Sequence, residues 1–324
     1  MAKMVDGRRC VRSMARFIDV FCGCGGLSCG LRDAGWMPVA GVDASPDAVK
    51  AYATNFPEAE ALRCDLSDAQ VREDLVARFR GKVEGMVGGP PCQGFSRRNM
   101  RKGQTRFDEM NKLPSIFAQM AVDLGVKVVV MEEVRDAAKV VLPLVTATLQ
   151  EAGFEVHSSV LDASRHGVPQ RRLRMIIVAT KTPFHFSGWP AFLPVTSVRQ
   201  AFTIQPVPEE GYKITRAETL RHIRTLRATN TRMIGGNFSI MNMEAPSPTI
   251  HTKTYPGAGP YVIERGDGYY ALSVEEAARL QSFPASFEFP CTPSTARRLI
   301  GNAVPCQLAY QVASCITRAP PSPP

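Results

Sequence analysis

Residues 16–28 read RFIDVFCGCGGLS: an apolar, β-branched run (RFIDVF, 16–21), a turn holding Gly23, Gly25 and Gly26, and a segment able to enter a helix. Strand, glycine turn and helix in that order make the first half of a βαβ unit. Five more runs of strand character follow: MPVAGVD (37–43), VEGMVGG (83–89), VKVVVME (126–132), EVHSSVL (155–161) and RMIIVAT (174–180), with amphipathic stretches between them. This alternation predicts an α/β fold with a doubly wound, mostly parallel sheet. Helix starts are legible between the strands. Ser45-Pro46 reads as an N-cap followed by proline at the first helical position, and Ser67 stands three residues before Gln70 as in a capping box. Asp43 and Asp65 then fall just past strand ends. Ligands of open α/β sheets bind beyond the carboxyl ends of the strands, so the loops at 22–28, 43–45, 64–66 and 88–96 are expected to meet in one crevice.

The rest of the chain sets the surroundings of that crevice. With 324 residues and 44% hydrophobic content the chain can bury a full core, as one large domain or a large domain carrying a smaller one. A formal charge of +9 suits a polyanionic partner,. The nine cysteines (10, 22, 24, 29, 64, 92, 291, 306 and 315) are odd in number and scattered; they imply a reducing, intracellular setting rather than a disulfide framework. No apolar run reaches membrane-spanning length, so no membrane partner is expected. After Thr182, Pro183, Pro190, Pro194, Pro206 and Pro208 break the strand-helix alternation. Within 183–245, seven basic residues (Arg199, Lys213, Arg216, Arg221, Arg224, Arg227, Arg232) face four glutamates (Glu209, Glu210, Glu218, Glu244). Ser273 and Glu276 form a second capping box, and Thr292-Pro293 opens another helix. The expected domains are a basic N-terminal arm (1–15), a catalytic and cofactor-binding domain (16–182) completed by 293–318, a smaller irregular domain (183–292), and a disordered tail (319–324).

Two loops carry chemistry. In the first, the glycines after Asp19-Val-Phe21 let the backbone approach a ligand at a helix N-terminus, yet the full dinucleotide pattern is missing. Asp43, at the end of the second strand, can accept both hydroxyls of a ribose. An adenosine ligand is therefore expected, and a pyrophosphate is not. The second loop, GGPPCQGFS (88–96), uses the two glycines and two prolines that open it (88–91) to present one thiol, Cys92, at the active edge of the sheet. Cysteine attacks as thiolate, so its proton must be lost or removed at neutral pH. Cys22, Cys24 and Cys29 lack the paired spacing and histidine partners of a zinc site, and no metal is expected.

GGPPCQGFS and DVFCGCGGLS (19–28) closely resemble the C5-cytosine DNA methyltransferase family. Val130-Met131-Glu132-Glu133-Val134 resembles its Glu-Asn-Val motif, and Gln170-Arg171-Arg172-Leu173-Arg174 its Gln-x-Arg-x-Arg motif. Ala278-Arg-Leu-Gln281-Ser-Phe-Pro284 and Ile300-Gly-Asn302-Ala-Val-Pro305 are similar to its two late motifs. The resemblance covers about 16–181 and 246–310 and implies a fold that binds S-adenosyl-L-methionine, with 183–245 in the place of the target-recognition region. It implies that a cytosine is flipped out of double-stranded DNA, that Cys92 adds to its C6, that Glu132 as the acid donates a proton to N3, and that Arg174 holds O2 while Arg172 steadies the same loop. It places Phe21 on the adenine, Asp43 on the ribose and Asp65 near the exocyclic amine, with Gly23, Gly25, Ala44, Leu66, Pro90, Asn302 and Ala303 completing the pocket. DNA contacts are expected from Gln93, Ser96 and Thr249, with phosphate contacts from Arg216, Arg221, Arg224 and Arg227.

Three positions depart from the family pattern: Glu133 replaces asparagine, His166 an aromatic residue and Leu299 glutamine. The RNA branch of the family is the first rival, but Gly94-Phe95-Ser96 resembles the DNA branch and the Cys-Phe-Thr element of the RNA branch is missing. A catalytically silent DNA-binding regulator is disfavoured by the intact Cys92, Glu132 and Arg174, and a nicotinamide oxidoreductase by the incomplete glycine pattern. A monomer acting within restriction-modification is expected.

Overall fold

The computed structural model describes residues 15–91, 106–207, 211–229, 239–252, 261–266 and 268–319. Cys92, Gln93 and Ser96 lie outside the described residues, as does the side chain of Arg227. Strands β1 (Arg16–Val20), β2 (Met37–Asp43), β3 (Glu60–Arg63), β4 (Gly85–Gly88), β5 (Val128–Val134), β6 (Glu155–Asp162) and β7 (Leu173–Thr180) form one sheet in the order β3-β2-β1-β4-β5-β7-β6. Helices α1 (Gly26–Asp33), α2 (Pro46–Asn55), α3 (Ala69–Phe79), α4 (Arg106–Leu124) and α5 (Ala138–Glu151) connect the strands through β6. Six strands run in one direction, and β7 alone is antiparallel to its neighbours β5 and β6. The exception has a simple cause: residues 163–172 between β6 and β7 hold only a 3-10 turn (Ala163–Arg165), and a parallel neighbour needs a longer, usually helical, crossover.

Side-chain alternation along the strands fills two layers. On one face Ile18, Val20, Val129 and Met131 pack with Phe79 of α3, Phe117 of α4 and Val145 of α5. On the other, Phe17, Val128 and Val130 meet Leu27 and Leu31 of α1 and Leu308 and Val312 of α10 (Cys306–Ser314). Each side chain of this size contributes about 1.5–3 kcal/mol on full burial. The direction of winding reverses between β1 and β4, so the crevice for ligands opens beyond their carboxyl ends.

The expected helix starts hold, with one correction. Ser45 caps α2 with Pro46 at its first turn, and its side chain accepts from Ala48 N at 3.4 Å. The α3 cap is Asp68, which accepts from Gln70 N at 2.9 Å, and not Ser67. The Ser67 hydroxyl donates instead to Asp65 Oδ1 at 2.8 Å.

The remaining chain adds β8 (Phe184–Phe186), α6 (Val198–Ile204), β9 (Tyr212–Lys213), α7 (Ala217–Thr229), β10 (Ser239–Ile240), β11 (Tyr261–Arg265), β12 (Gly268–Ala271), α8 (Val274–Leu280), α9 (Pro293–Asn302) and β13 (Ile316–Arg318). The second sheet, β10-β11-β12-β9, has a small core of its own built from Ile214, Ile223, Val262, Tyr269 and Ala271. A further cluster joins Cys24, Cys29, Tyr52 and Phe56 to Val198, Ile263, Leu280, Phe283 and Ile300, so later segments pack on α1 and α2. The capping box Ser273–Glu276 starts α8, and Thr292 with Pro293 starts α9. Among the described residues no helix is long and apolar enough to cross a membrane.

Candidate active site

A cavity of about 1130 Å³ occupies the crevice, more than one drug-sized ligand needs. Its floor is the β1–α1 turn. Phe21 stands there at φ 61 and Gly23 at φ 55; a non-glycine residue in the left-handed region carries a cost that is usually tied to a site. Gly25, at φ 94, could take no side chain, because a Cβ would lie 2.3 Å from the Phe56 ring. Gly25 thus brings α1 close to α2 and does not itself line the cavity.

Asp43, the last residue of β2, is tied into this turn: Oδ2 accepts from Gly23 N at 3.0 Å and Oδ1 from Ser45 N at 2.8 Å. Burial raises its pKa, opposed by the Ser45 and Gly23 amides and by Arg298. Each carboxylate oxygen keeps a further lone pair for a ligand. Asp65 Oδ1 accepts from the amide and hydroxyl of Ser67 at 3.0 and 2.8 Å, which lowers its pKa. Ala44, Leu66 and Pro90 line the same wall. Below the turn, Asp19 is buried, its Oδ2 accepting from Ser28 Oγ at 2.6 Å, with Tyr52 Oη 3.0 Å from that hydroxyl. Desolvation is the main reason its pKa is raised to about 7; the Ser28 bond opposes that shift and the charge of Asp43 adds to it.

At the other end, Arg174 Nε lies 2.6 Å from Glu132 Oε1, a charge contact in which Oε1 takes no directed hydrogen bond. Gly89 gives Glu132 its space, since a Cβ there would sit 3.3 Å from Oε2. Glu133 is buried and its Oε2 accepts from Val134 N at 2.8 Å, though it too borders the cavity. Pro91, immediately before Cys92, stands in the wall.

Arg172 is fully buried and donates through Nη2 to the carbonyls of Gly301 (3.0 Å) and Ala303 (3.1 Å), and through Nη1 to Ile250 O (3.4 Å). Burial, together with the charge of Arg174, lowers its pKa to about 9, while Glu132 opposes the shift. Gln170 Nε2 donates to Leu280 O (3.0 Å) and to Gln281 Oε1 (2.8 Å), and Gln281 Nε2 to Ile300 O (2.6 Å) and Ala303 O (3.1 Å). Segments more than a hundred residues apart are thereby fixed around Asn302 and Ala303, which line the cavity. Unpaired buried polar groups cost about 1–3 kcal/mol each, so this network holds its register firmly.

Of the expected site residues, Phe21, Gly23, Asp43, Ala44, Asp65, Leu66, Pro90, Glu132, Arg172, Arg174, Thr249, Asn302 and Ala303 meet around this one cavity. Arg216, Arg221 and Arg224 do not; Arg216 pairs with Glu218 at 3.4 Å beside α7. Thr249 Oγ1 donates to Arg171 O at 2.8 Å and also borders a shallower cavity of about 270 Å³ at the mouth, lined by Arg135, Arg171 and Arg174. Asp19, His251, Thr252 and Arg298 also line the large cavity, and no motif spacing marks the last three. The seven described cysteines are free, and the described residues hold no cluster of His, Cys, Asp and Glu suited to a metal.

Comparison with known proteins gives the family. The family model for C-5 cytosine-specific DNA methylase matches residues 15–318. The chain is 31% identical over 306 residues to Type II methyltransferase M.HgiDI of Herpetosiphon aurantiacus, covering 92% of this chain and 93% of that protein. It is 30% identical over 310 residues to Type II methyltransferase M.HindV of Haemophilus influenzae, covering 92% and 95%. Among solved structures it resembles the Entamoeba histolytica methyltransferase EhMeth (TM-score 0.73, 16% identity, 94% and 98% covered) and S. pombe Dnmt2 (TM-score 0.69, 17% identity, 93% and 97% covered). The chain belongs to the C-5 cytosine-specific DNA methylase family.

Proposed function

We propose that the protein transfers a methyl group from S-adenosyl-L-methionine to C5 of a cytosine flipped out of double-stranded DNA, with Cys92 as covalent nucleophile. The supporting observation is the single cavity with Asp43 at one end and the Glu132–Arg174 pair at the other. A stacked base exposes neither C5 nor C6 to such a depth, hence the flip. The donor fits the first end: Asp43 has acceptor capacity for two hydroxyls, Phe21 offers a ring, and Asp19 supplies a carboxylate for the cationic amino group. Bound there, S-adenosyl-L-methionine supplies an electrophilic methyl group.

The chain's own residues do the rest. The Cys92 thiolate bonds to C6, Glu132 as the acid donates a proton to N3, and the ring's electron pair gathers at C5. A base entering between Glu132 and Arg174 exchanges their mutual contact for contacts with N3 and O2. Arg172 acts at one remove, holding the 249–252 segment and the end of α9 in place. Loss of the C5 proton and departure of Cys92 then complete the product.

DNA outside the pocket is held by phosphate contacts from Arg216, Arg221, Arg224 and Arg227, with Gln93, Ser96 and Thr249 near the flipped nucleotide. The 183–292 region selects the target and the chain works as a monomer; its place in restriction-modification accords with the names of its Type II relatives. The family's description favours DNA over RNA as substrate. Bisulfite sequencing of plasmid DNA from cells expressing the protein tests the reading: protected cytosines in one short sequence context are expected, and full conversion everywhere would overturn it.

A further inference from the structure

The proposed reaction leaves one proton without an acceptor. Methyl transfer puts both a methyl group and a hydrogen on C5, and that hydrogen must leave as a proton before Cys92 can. Glu132 and Arg174 are committed to N3 and O2, Asp19, Asp43 and Asp65 stand at the adenosine end, and Glu133 Oε2 is taken up by Val134 N. His251 is the one histidine among the described residues that lines the cavity.

Its place is between the two ends. His251 follows Thr249 and Ile250 in the segment tied down by Gln170 and Arg172, through Gln170 Oε1 accepting from Ile250 N at 3.0 Å and Arg172 Nη1 donating to Ile250 O. Its own backbone packs against Gly301, where a Cβ would lie 2.7 Å from the His251 carbonyl carbon. His251 is thus one residue from the arginine-held segment on one side and one residue from Asn302 on the other. The ring is stacked with Tyr261 of β11, centroids 6.2 Å apart at an interplanar angle of 22°. The charged groups around it are Arg172, just before β7, and Arg174 of β7, with Glu132 and Glu133 of β5 and Arg298 of α9 bordering the same cavity. His251 keeps solvent exposure, and partial desolvation and then the charges of Arg172 and Arg174 push its pKa down from the ordinary histidine value, which favours the unprotonated imidazole as a base.

We propose that His251 accepts the C5 proton of the methylated adduct. The C5–H electron pair becomes the C5=C6 bond, the C6–S pair leaves with the Cys92 thiolate, N3 returns its proton to Glu132, and the C5 proton resides on the imidazole until solvent takes it. The inference rests on the covalent reading of Cys92 and adds to it the base for the last step.

The test is His251→Gln and His251→Ala, assayed with unmodified DNA carrying tritium at C5 of the target. A general base contributes about 10²–10⁴-fold, so steady-state turnover and tritium release should fall together by about 100-fold. The first round of methyl transfer should persist, leaving a denaturation-resistant protein–DNA adduct on ordinary cytosine. Added imidazole should restore part of the turnover of His251→Ala, and the variants should lose the decline in kcat that the wild-type shows as pH falls below the ordinary histidine range. Wild-type turnover in His251→Gln overturns the proposal. So does a loss in which methyl transfer itself slows, no adduct builds up and imidazole fails to rescue, since that describes a binding or structural role. A 5-fluorocytosine trap on the same proteins separates the two levels: trapping by His251→Gln leaves Cys92 as nucleophile whatever becomes of His251, whereas failure of the wild-type to trap removes both.

Discussion

Replacing Asp43 by alanine tests the adenosine end of the cavity. In the folded protein each Asp43 oxygen already accepts one backbone amide, from Gly23 and Ser45, leaving one lone pair per oxygen for the two ribose hydroxyls. A hydrogen bond to a charged group contributes about 1.5–3 kcal/mol, so two would give about 3–6 kcal/mol if the carboxylate were otherwise unengaged. It is engaged, by the backbone amides of Ser45, Gly23 and Ala44 and by the charge of Arg298, which places the expected loss at about 2–4 kcal/mol, or about 30- to 800-fold in Kd. Asp43→Asn serves as the control for the loop: it keeps the shape and one strong acceptor but not the charge, and it should lose about 1–2 kcal/mol. Isothermal titration calorimetry with S-adenosyl-L-methionine reads both, and thermal melting confirms that each variant folds. An unchanged dissociation constant in a folded Asp43→Ala would mean that the adenosine does not lie on β2.

The other expectations follow from the opposite end of the cavity and from its charges. Glu132→Gln should abolish turnover with donor binding intact, while Glu133→Asn should remain active; the reverse pattern in a methylation assay would shift the acid by one residue. Gly89→Ala would set a methyl group 3.3 Å from Glu132 Oε2 and should lower kcat about tenfold or more, with an unaltered kcat showing that Glu132 yields without consequence. Neutralising Arg216, Arg221, Arg224 and Arg227 together should flatten the salt dependence of DNA binding by about 3.6 units of log–log slope, and an unaltered slope removes α7 from the interface. Asp19 titrates at about 7; a cationic ligand favours its carboxylate, so binding should release a proton near neutrality and tighten as pH rises through about 7. Calorimetry in buffers of different ionisation enthalpy measures that release, which Asp19→Asn should abolish; pH-independent binding by the wild-type would count against Asp19 facing the ligand's charge.

The sequence made the floor of the site legible because β1, its glycine turn and β2 combine strong apolar alternation with turn residues that have few other uses. The β3 strand, EALR, is half exposed and four residues long, so it carries almost no pattern. Strand direction is not written in a strand's own residues, and the antiparallel β7 follows from the connection before it, which lacks a helix. Ser67 and Asp68 are adjacent residues of equal capping ability, and only the position of Asp65 decides between them by taking the Ser67 hydroxyl. Motif order brought Glu132, Arg172 and Arg174 forward together. The partners of Arg172, however, are backbone carbonyls of Gly301, Ala303 and Ile250, and carbonyls leave no mark in a sequence. His251 and Arg298 reach the cavity through tertiary convergence alone, one through the Gln170–Gln281 network and the other on α9.

The central claim is that Cys92 bonds to C6 before the methyl group arrives and is released only when the C5 substituent leaves as a proton. Fluorine cannot leave in that way. DNA carrying 5-fluorocytosine at the target should be methylated once and remain attached, giving a denaturation-resistant band that requires S-adenosyl-L-methionine. Cys92→Ser should lose the band, because a serine hydroxyl is a far weaker nucleophile than a thiolate at neutral pH. Fluorinated transfer RNA, run alongside, should give no adduct. An adduct with RNA and never with DNA would keep the chemistry and replace the substrate, whereas trapping of DNA by Cys92→Ser would contradict the mechanism itself.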